Sequence, residues 1–444
     1  IGPRPPMMLA TLLPALLATA TAAPALPPLV PLRERAAVEN EILEQRLQRL
    51  LPSLMAEAKL DMWLVLSREY AEDPVYFTLV PQPSFAARRT TLLVFHRRPD
   101  GSVERLAVNR YPLGGPYDSA WAGGDLEAQW RALGEIIVAR DPQRIGINVS
   151  REWALADGLS HGLQQRLREV LPEDFHARLV PAEQLVVRWS ETRTAAEAPH
   201  HAAAMATARA VIAEAFSNRV ITPGETTTDD VAWYIRQRFE SLGLPVWFQP
   251  DVNRQRAGDD CTRESTFCGA QGVIERGDVL HTDVGVCYLK LCTDTQEMGY
   301  VLREGETQVP PSLQAALAAG NRWQDLHTGE FRAGRTGDEI LAATRAAAAS
   351  EGLVSSTYSH PLGFRGHAAG MSVGMWDNQD GPVPGGGRWP LHESTGYAIE
   401  GNVLAPVPEW GGTWVQVKLE QGAWFEGGAV RYPAGRQTAW HVIR

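Results

Sequence analysis

GDVLHTDVGVCYLKLCTDTQEMGY, residues 277–300, carries two aspartates, Asp283 and Asp294, on two short β-rich runs with a turn expected near Tyr288–Leu291. Strand side chains alternate between faces, so an antiparallel pair can bring both carboxylates to one face. Two facing carboxylates repel, and a divalent cation between them removes that cost. Gly285, two residues after Asp283, leaves room there for an ion or a close backbone. Taken alone, the pair reads equally well as turn or cap aspartates on an exposed hairpin.

Three segments further along carry matching chemistry. TYSHPLGFRGHAAG (357–370) sets His360 and His367 among glycines, an unusual setting for core histidines. Imidazole together with carboxylates suits zinc, manganese, iron or cobalt. YAIEGNVLAPVPEW (397–410) is strand-like around Glu400, which Ile399 and Val403 flank. In WVQVKLEQGAWF (414–425), Val415, Val417 and Leu419 share one face, which turns Lys418 and Glu420 to the other. An acid so placed ordinarily faces solvent.

The rest of the chain supplies the frame. A length of 444 residues exceeds one ordinary domain, so two are expected. A net charge of -10 without a Lys/Arg run argues against a nucleic-acid partner. Residues 33–58 place Val38, Ile42, Leu43, Leu47, Leu50, Leu51 and Leu54 at helical spacing. MWLVLS (62–67) reads as a buried strand, and TTLLVFHRR (90–98), Pro99-Asp100-Gly101 and VERLAVNRY (103–111) as a hairpin. Residues 126–138 read as a helix and 144–149 as another strand, which makes an α/β domain over 26–188. Past a boundary near Arg188–Thr194, an Ala-rich helix is expected over 192–219, then a turn at Pro223-Gly224 and a helix from Thr228 to about Leu242. Helices followed by strands predict an α+β domain over 189–444.

Residues 1–25 read as a sorting signal. LATLLPALLATATAA (9–23) is apolar and ends in A-x-A sites, with a disordered Ala/Pro-rich leader as the alternative. Export to a periplasmic or extracellular space follows, with no stable membrane insertion after signal removal, since no later run is long enough to span. Export permits disulfides, and Cys261 and Cys268 lie close enough in sequence to pair. Without a C-x-x-C spacing, small buried hydrophobes are the default reading of all four cysteines.

Together, TDVG at Asp283, TDT at Asp294, HPLG at His360, AIEGN at Glu400 and KLEQ at Glu420 resemble the pita-bread metallopeptidase family (M24), which includes methionine aminopeptidase, aminopeptidase P and prolidase. The resemblance covers 189–444, and the first half looks like the creatinase-like α/β domain of the aminopeptidase P and prolidase branch. It implies two divalent ions, manganese first, with cobalt, zinc or iron as alternatives. Asp283 would hold one ion, His360 and Glu400 the other, and Asp294 and Glu420 would bridge them. The implied reaction is hydrolysis of the N-terminal Xaa-Pro bond of a peptide by a water held between the metals, with catalytic roles for Glu400 and His367. His367 matches the family's second histidine, which contacts substrate and stabilises the tetrahedral intermediate. Reading His367 as the ligand instead would put that later histidine on Gly374, so His360 is preferred.

Departures from the family pattern fall on the substrate side. CTRESTFCGAQ (261–271) lacks the histidine that the family carries 17 to 21 residues before its first aspartate. His281 is the candidate replacement, with packing behind the site as the alternative. Lys418 stands where the branch often has arginine, and Gly401-Asn402 replaces a Pro-Gly. His281, His392 and Lys418 are therefore the candidate substrate contacts, while packing roles are expected for Trp247, Trp376 and Glu409. A homodimer is compatible with the family. Two other readings stay open: a relative acting on a small non-peptide substrate, as creatinase does without metals or as a metal-dependent lyase does, and a catalytically silent protein-binding module.

Overall fold

The computed structural model describes residues 26–444; the expected sorting signal lies outside the described residues. The opening helix Leu32–Gln45 passes through a π-helical turn, Arg46–Leu50, into a second helical segment, Leu51–Glu57. Pro52 cannot donate to the preceding turn, and the ladder widens just before it. Leu43, Leu47, Leu51 and Leu54 form the buried stripe of this unit.

The first sheet comprises β1 (Met62–Arg68), β2 (Thr90–Arg97), β3 (Val103–Asn109), β4 (Asp118–Ser119), β5 (Ile145–Ile147) and β6 (Leu179–Pro181), in the order β4-β3-β2-β1-β5-β6. β1, β2 and β3 are antiparallel, whereas β5 runs parallel to β1 and β6 parallel to β5. Trp63, Val65, Leu93 and Phe95 pack into one core, while Met62, Leu64, Leu66, Leu92 and Val94 pack into another on the opposite face. Burial on both faces is why this strand reads as an unbroken apolar run rather than an alternation.

The second sheet is larger. β7 (Asp251–Gln255), β8 (Val279–Val284), β11 (Thr295–Val301), β12 (Val354–Leu362), β13 (Thr395–Pro406) and β14 (Trp414–Glu426) assemble in the order β12-β13-β14-β11-β8-β7. All of these neighbours are antiparallel. Between β8 and β11 the chain makes a small ribbon, β9 (Cys287–Tyr288) and β10 (Leu291–Cys292). The turn expected here has Leu289 and Lys290 both in the left-handed region, at φ 51 and 60. Each such residue costs about 1–2 kcal/mol. The Cys287–Cys292 disulfide closes the ribbon below that turn, and Cys261–Cys268 closes a second loop. The default reading of the four cysteines as small hydrophobes gives way to two disulfides, one of them the Cys261–Cys268 pairing that the sequence allowed.

Helices Ala198–Ala215, Thr228–Ser241, Pro311–Thr328 and Gly337–Ser350 pack against the second sheet and its edges. The approach is close at two glycines: a Cβ at Gly401 would meet the Trp323 ring at 2.3 Å, and one at Gly422 would meet Met205 at 2.7 Å. The Ala-rich helix is shorter than expected. It begins at Ala198 because the residues before it are drawn into a buried ion network. Glu197 accepts from Arg46 and from Arg193, each at 3.0 Å, and from the Thr194 N–H at 2.6 Å. The Arg46 guanidinium also donates to the carbonyls of Thr192 and Trp189. Phe364, from the loop after β12, lies under both guanidiniums, at 4.9 Å from Arg46 and 5.0 Å from Arg193. The network thus ties the opening helix to the loop between His360 and His367.

Candidate metal centre

Strand register brings the acids together. Asp251 pairs with Asp283, Asp283 with Gln296, Gln296 with Glu420, Glu420 with Glu400, and Glu400 with Tyr358. One row of side chains therefore crosses these six strands of the eight-stranded second sheet. Asp294 lies two residues before Gln296 and His360 two after Tyr358, which puts both on the same face. The apolar residues between these positions, among them Ile399, Val417 and Leu419, point to the helix side and are fully buried there.

His360 Nε2 is 3.5 Å from Asp294 Oδ2, 3.4 Å from Glu420 Oε1 and 3.8 Å from Glu400 Oε2. Asp283, Asp294 and Glu420 form a second cluster within 4.8 Å, sharing Glu420 with a His360, Glu400 and Glu420 cluster. His360, Asp294 and Glu420 are buried, while Asp283 and Glu400 are partly open to the adjoining pocket. Asp283 Oδ1, Asp294 Oδ1, Glu420 Oε1 and His360 Nε2 are all buried without a hydrogen-bond partner. Four orphaned ligand atoms in one spot are what a cation-binding site requires, because each would otherwise cost about 1–3 kcal/mol of desolvation. The donor set of carboxylate oxygens and one imidazole fits a divalent ion.

Electrostatics point the same way. Burial pushes the Asp283, Asp294, Glu400 and Glu420 carboxyls up; repulsion within the cluster adds to the rise at Asp294, Glu400 and Glu420, and repulsion from Asp251 adds to it at Asp283. Burial takes the His360 imidazole down to about 3, which keeps it neutral and able to ligate. The metal-free protein consequently keeps protons on these carboxyls that the unfolded chain gives up near pH 4. The folded state then binds more protons than the unfolded one, so stability falls as pH rises. The histidines of the unfolded chain and Lys418, whose pKa burial takes down to about 7, also titrate in this range with the opposite sign. They do so in both forms of the protein, so the carboxyl slope is read as the difference between the two. We expect the melting temperature of chelator-treated protein to fall relative to that of manganese-loaded protein between pH 6.5 and 8. Parallel curves for the two forms would show that the acids are not held in mutual repulsion.

The family model for metallopeptidase family M24 matches residues 200–431, slightly more than half of the chain. The chain belongs to metallopeptidase family M24. No curated protein sequence matches it. Among solved structures, it is similar to an X-Pro aminopeptidase from Thermotoga maritima MSB8, at 15% identity and TM-score 0.62, over 88% of this chain and 100% of that one. It is also similar to an Xaa-Pro dipeptidase from Bacillus anthracis, at 16% identity and TM-score 0.59, over 92% and 100%. The N-terminal domain of the FACT complex subunit SPT16 from Cicer arietinum shares the fold at 11% identity and TM-score 0.58, over 91% and 99%. At these identities the likeness is one of fold: a creatinase-like α/β domain followed by the pita-bread domain of the M24 family.

Within this M24 centre, Gln296 is the residue that motif reading missed. Its Nε2 donates to Glu400 Oε1 and to Glu420 Oε2, both at 2.9 Å, and so fixes two carboxylates at once. Its Oε1 accepts a hydrogen bond from His281 Nε2 at 2.8 Å, while Asn253 Nδ2 donates to His281 Nδ1 at 3.0 Å. The signal was present as an i+2 spacing from Asp294, which only the register with Asp283 makes meaningful. His281 is buried with both ring nitrogens engaged, so it orients Gln296 while reaching the pocket with its ring edge.

His367 is exposed, and its ring sits 4.6 Å from that of His360, edge to face. Trp247 backs it, ring centroids 5.0 Å apart, and the Trp247 Nε1–H donates to the Thr293 carbonyl at 2.8 Å. The space at Gly285 that the sequence suggested for an ion is filled by this indole. A Cβ at Gly285 would lie 2.0 Å from Trp247 Nε1, and one at Gly366 would lie 2.1 Å from the same ring. Gly285→Ala should thus displace Trp247 and cost about 1–3 kcal/mol through overpacking, measured by urea unfolding. Wild-type stability in that variant would mean the indole is free to move.

The other candidates divide. Trp376, whose sequence setting favours core or loop packing over a pocket role, lines the pocket beside the centre and is half exposed. Lys418 lines the pocket too, though its ammonium is turned away from solvent, and burial takes its pKa down to about 7. His392 is not among the pocket residues: its Nδ1 lies 2.9 Å from Glu191, which also accepts from Trp389. Glu409 accepts from Ser312 at 2.7 Å on the surface. Gly374 adopts φ 65, a backbone position that suits glycine, and it offers no ligand atom.

Proposed function

We propose that the chain is a dinuclear-metal peptidase that hydrolyses the N-terminal Xaa-Pro bond of peptides or dipeptides. The observation that carries this reading is the convergence of four orphaned ligand atoms, from Asp283, Asp294, His360 and Glu420, on one face of the sheet with Glu400 beside them. Divalent ions bound there, manganese first among the candidates, supply water activation at neutral pH and stabilise developing negative charge. The protein's own part is to hold the ligands and orient the peptide. Gln296 keeps the Glu400 and Glu420 carboxylates in place, and His281 fixes the Gln296 amide in the sense that lets it donate to both. His367 stands exposed at the rim, where an imidazole N–H can donate to an oxygen that gains charge in the reaction. The two disulfides support an exported location, since such bonds persist in oxidising compartments. Among the described residues, no helix is long and apolar enough to cross a membrane.

The test is direct. Purified protein is incubated with Xaa-Pro and non-proline peptides, with chelator and with added manganese or cobalt. Metal-dependent cleavage confined to Xaa-Pro peptides is expected. Cleavage that survives chelation would sink the metal mechanism. Failure to cut any peptide, despite two bound ions, would move the reading to a small non-peptide substrate.

A further inference from the structure

The pocket beside the metal centre, about 230 Å³, has one wall that ligand chemistry leaves unexplained. That wall is the segment Cys261–Cys268, closed by its own disulfide. It is held from beneath by β14. Gln416 accepts from the Cys268 N–H at 2.8 Å and donates to the Thr266 carbonyl at 2.9 Å. Gln416 is itself fixed through its backbone, which exchanges two 2.8 Å bonds with the Gln255 side chain. Lys418 Nζ donates to the Cys268 carbonyl at 2.9 Å and lies 3.6 Å from the centre of the Phe267 ring. This lysine is 6% exposed, so its charge is spent on the loop and not held out to solvent.

The wall so pinned presents Phe267, which remains 52% exposed, and the same pocket is lined by Trp376 at 53%. Large apolar side chains left open inside a concave, otherwise polar site mark a place where a ligand covers them. Asp251 lines the pocket as well, outside the cluster of orphaned ligand atoms, and complements an amino-terminal ammonium.

We propose that the Cys261–Cys268 loop is a specificity wall: Phe267, with Trp376, receives the side chain of the substrate's first residue and favours large apolar groups. Lys418 is a positioning residue that braces the wall. This inference rests on the peptidase reading, and its test separates the two. Metal-loaded wild type, Phe267→Ala and a Cys261→Ser/Cys268→Ser double variant are compared on Xaa-Pro peptides with Gly, Glu, Leu or Phe first. Phe267→Ala should lower kcat/KM for the Leu and Phe peptides about tenfold, through KM, while the Gly peptide changes by no more than about twofold. The double variant should lose the same preference with metal content unchanged. Lys418→Met should behave likewise, and Lys418→Arg should restore the preference. A Leu-to-Gly ratio unchanged in Phe267→Ala would overturn the proposal. If the wild type cuts none of these peptides, the peptidase reading fails, and calorimetric binding of the same peptides still reads the wall. Tighter binding of the Leu and Phe peptides, lost in Phe267→Ala, supports it; no preference in the wild type overturns it.

Discussion

Asp294→Ala is expected to lose both metal ions together and to lower kcat/KM by on the order of a thousandfold. Asp294, like Glu420, belongs to two of the ligand groupings, one with His360 and His367 and one with Asp283 and Glu420. Its Oδ2 lies 3.5 Å from His360 Nε2, and its Oδ1 is buried without a partner. A side chain so placed faces both halves of the site, and its removal takes a ligand from each. Loss of a single oriented charge-stabilising group typically costs a hundred- to a thousandfold, so loss of the metals falls at or beyond about that upper figure. Metal content after gel filtration and steady-state rates are the measurements. Two ions still tightly bound in the variant would contradict the assignment. A control separates ligand loss from misfolding: in chelator, the variant should be more stable than wild type at pH 8, because one of four mutually repelling acids is gone.

The second large effect lies away from the metals. Arg46→Ala should lower the unfolding free energy by about 3–5 kcal/mol, the usual cost of removing one partner from a buried ion pair. Arg46 is 1% exposed, and burial lowers its pKa to about 10, so it stays cationic at neutral pH. Its removal strips the donor from the carbonyls of Thr192 and Trp189 and leaves Glu197 with Arg193 and the Thr194 N–H alone. It also takes one guanidinium from the face of Phe364, in the loop between His360 and His367. Urea unfolding reads the stability, and KM reads whether that loop has loosened. A loss below about 1 kcal/mol would show that Arg193 alone satisfies Glu197.

Much of this site was legible before any coordinates. Alternation in WVQVKLEQ puts Lys418 and Glu420 on one face because the pleat has a period of two, and β14 keeps that pattern. The same reasoning expected the acid to face solvent, and there it failed. Glu420 is 1% exposed because β12, β13 and β8 bring His360, Glu400 and Asp283 over the same face. Gln296 carries no motif, and its i+2 spacing from Asp294 alone does not distinguish it from a surface glutamine. Its role arises from pairing with Asp283 on one side and Glu420 on the other.

The acids, the histidines and their spacing were determined by the sequence alone, since residue type and strand parity are local properties that need no partner. The tertiary structure decided which of them meet. Gly285 looked like space for an ion, and the fold fills it with Trp247 from a segment nearly forty residues earlier in the chain. Cys261 and Cys268 were close enough in sequence to pair, and the fold makes their disulfide the clasp of a pocket wall. Lys418 looked like a charge for the substrate, and the fold turns it onto the Cys268 carbonyl. The contacts at Gly285 and Lys418 join residues far apart in the chain, and only register and packing determine such contacts.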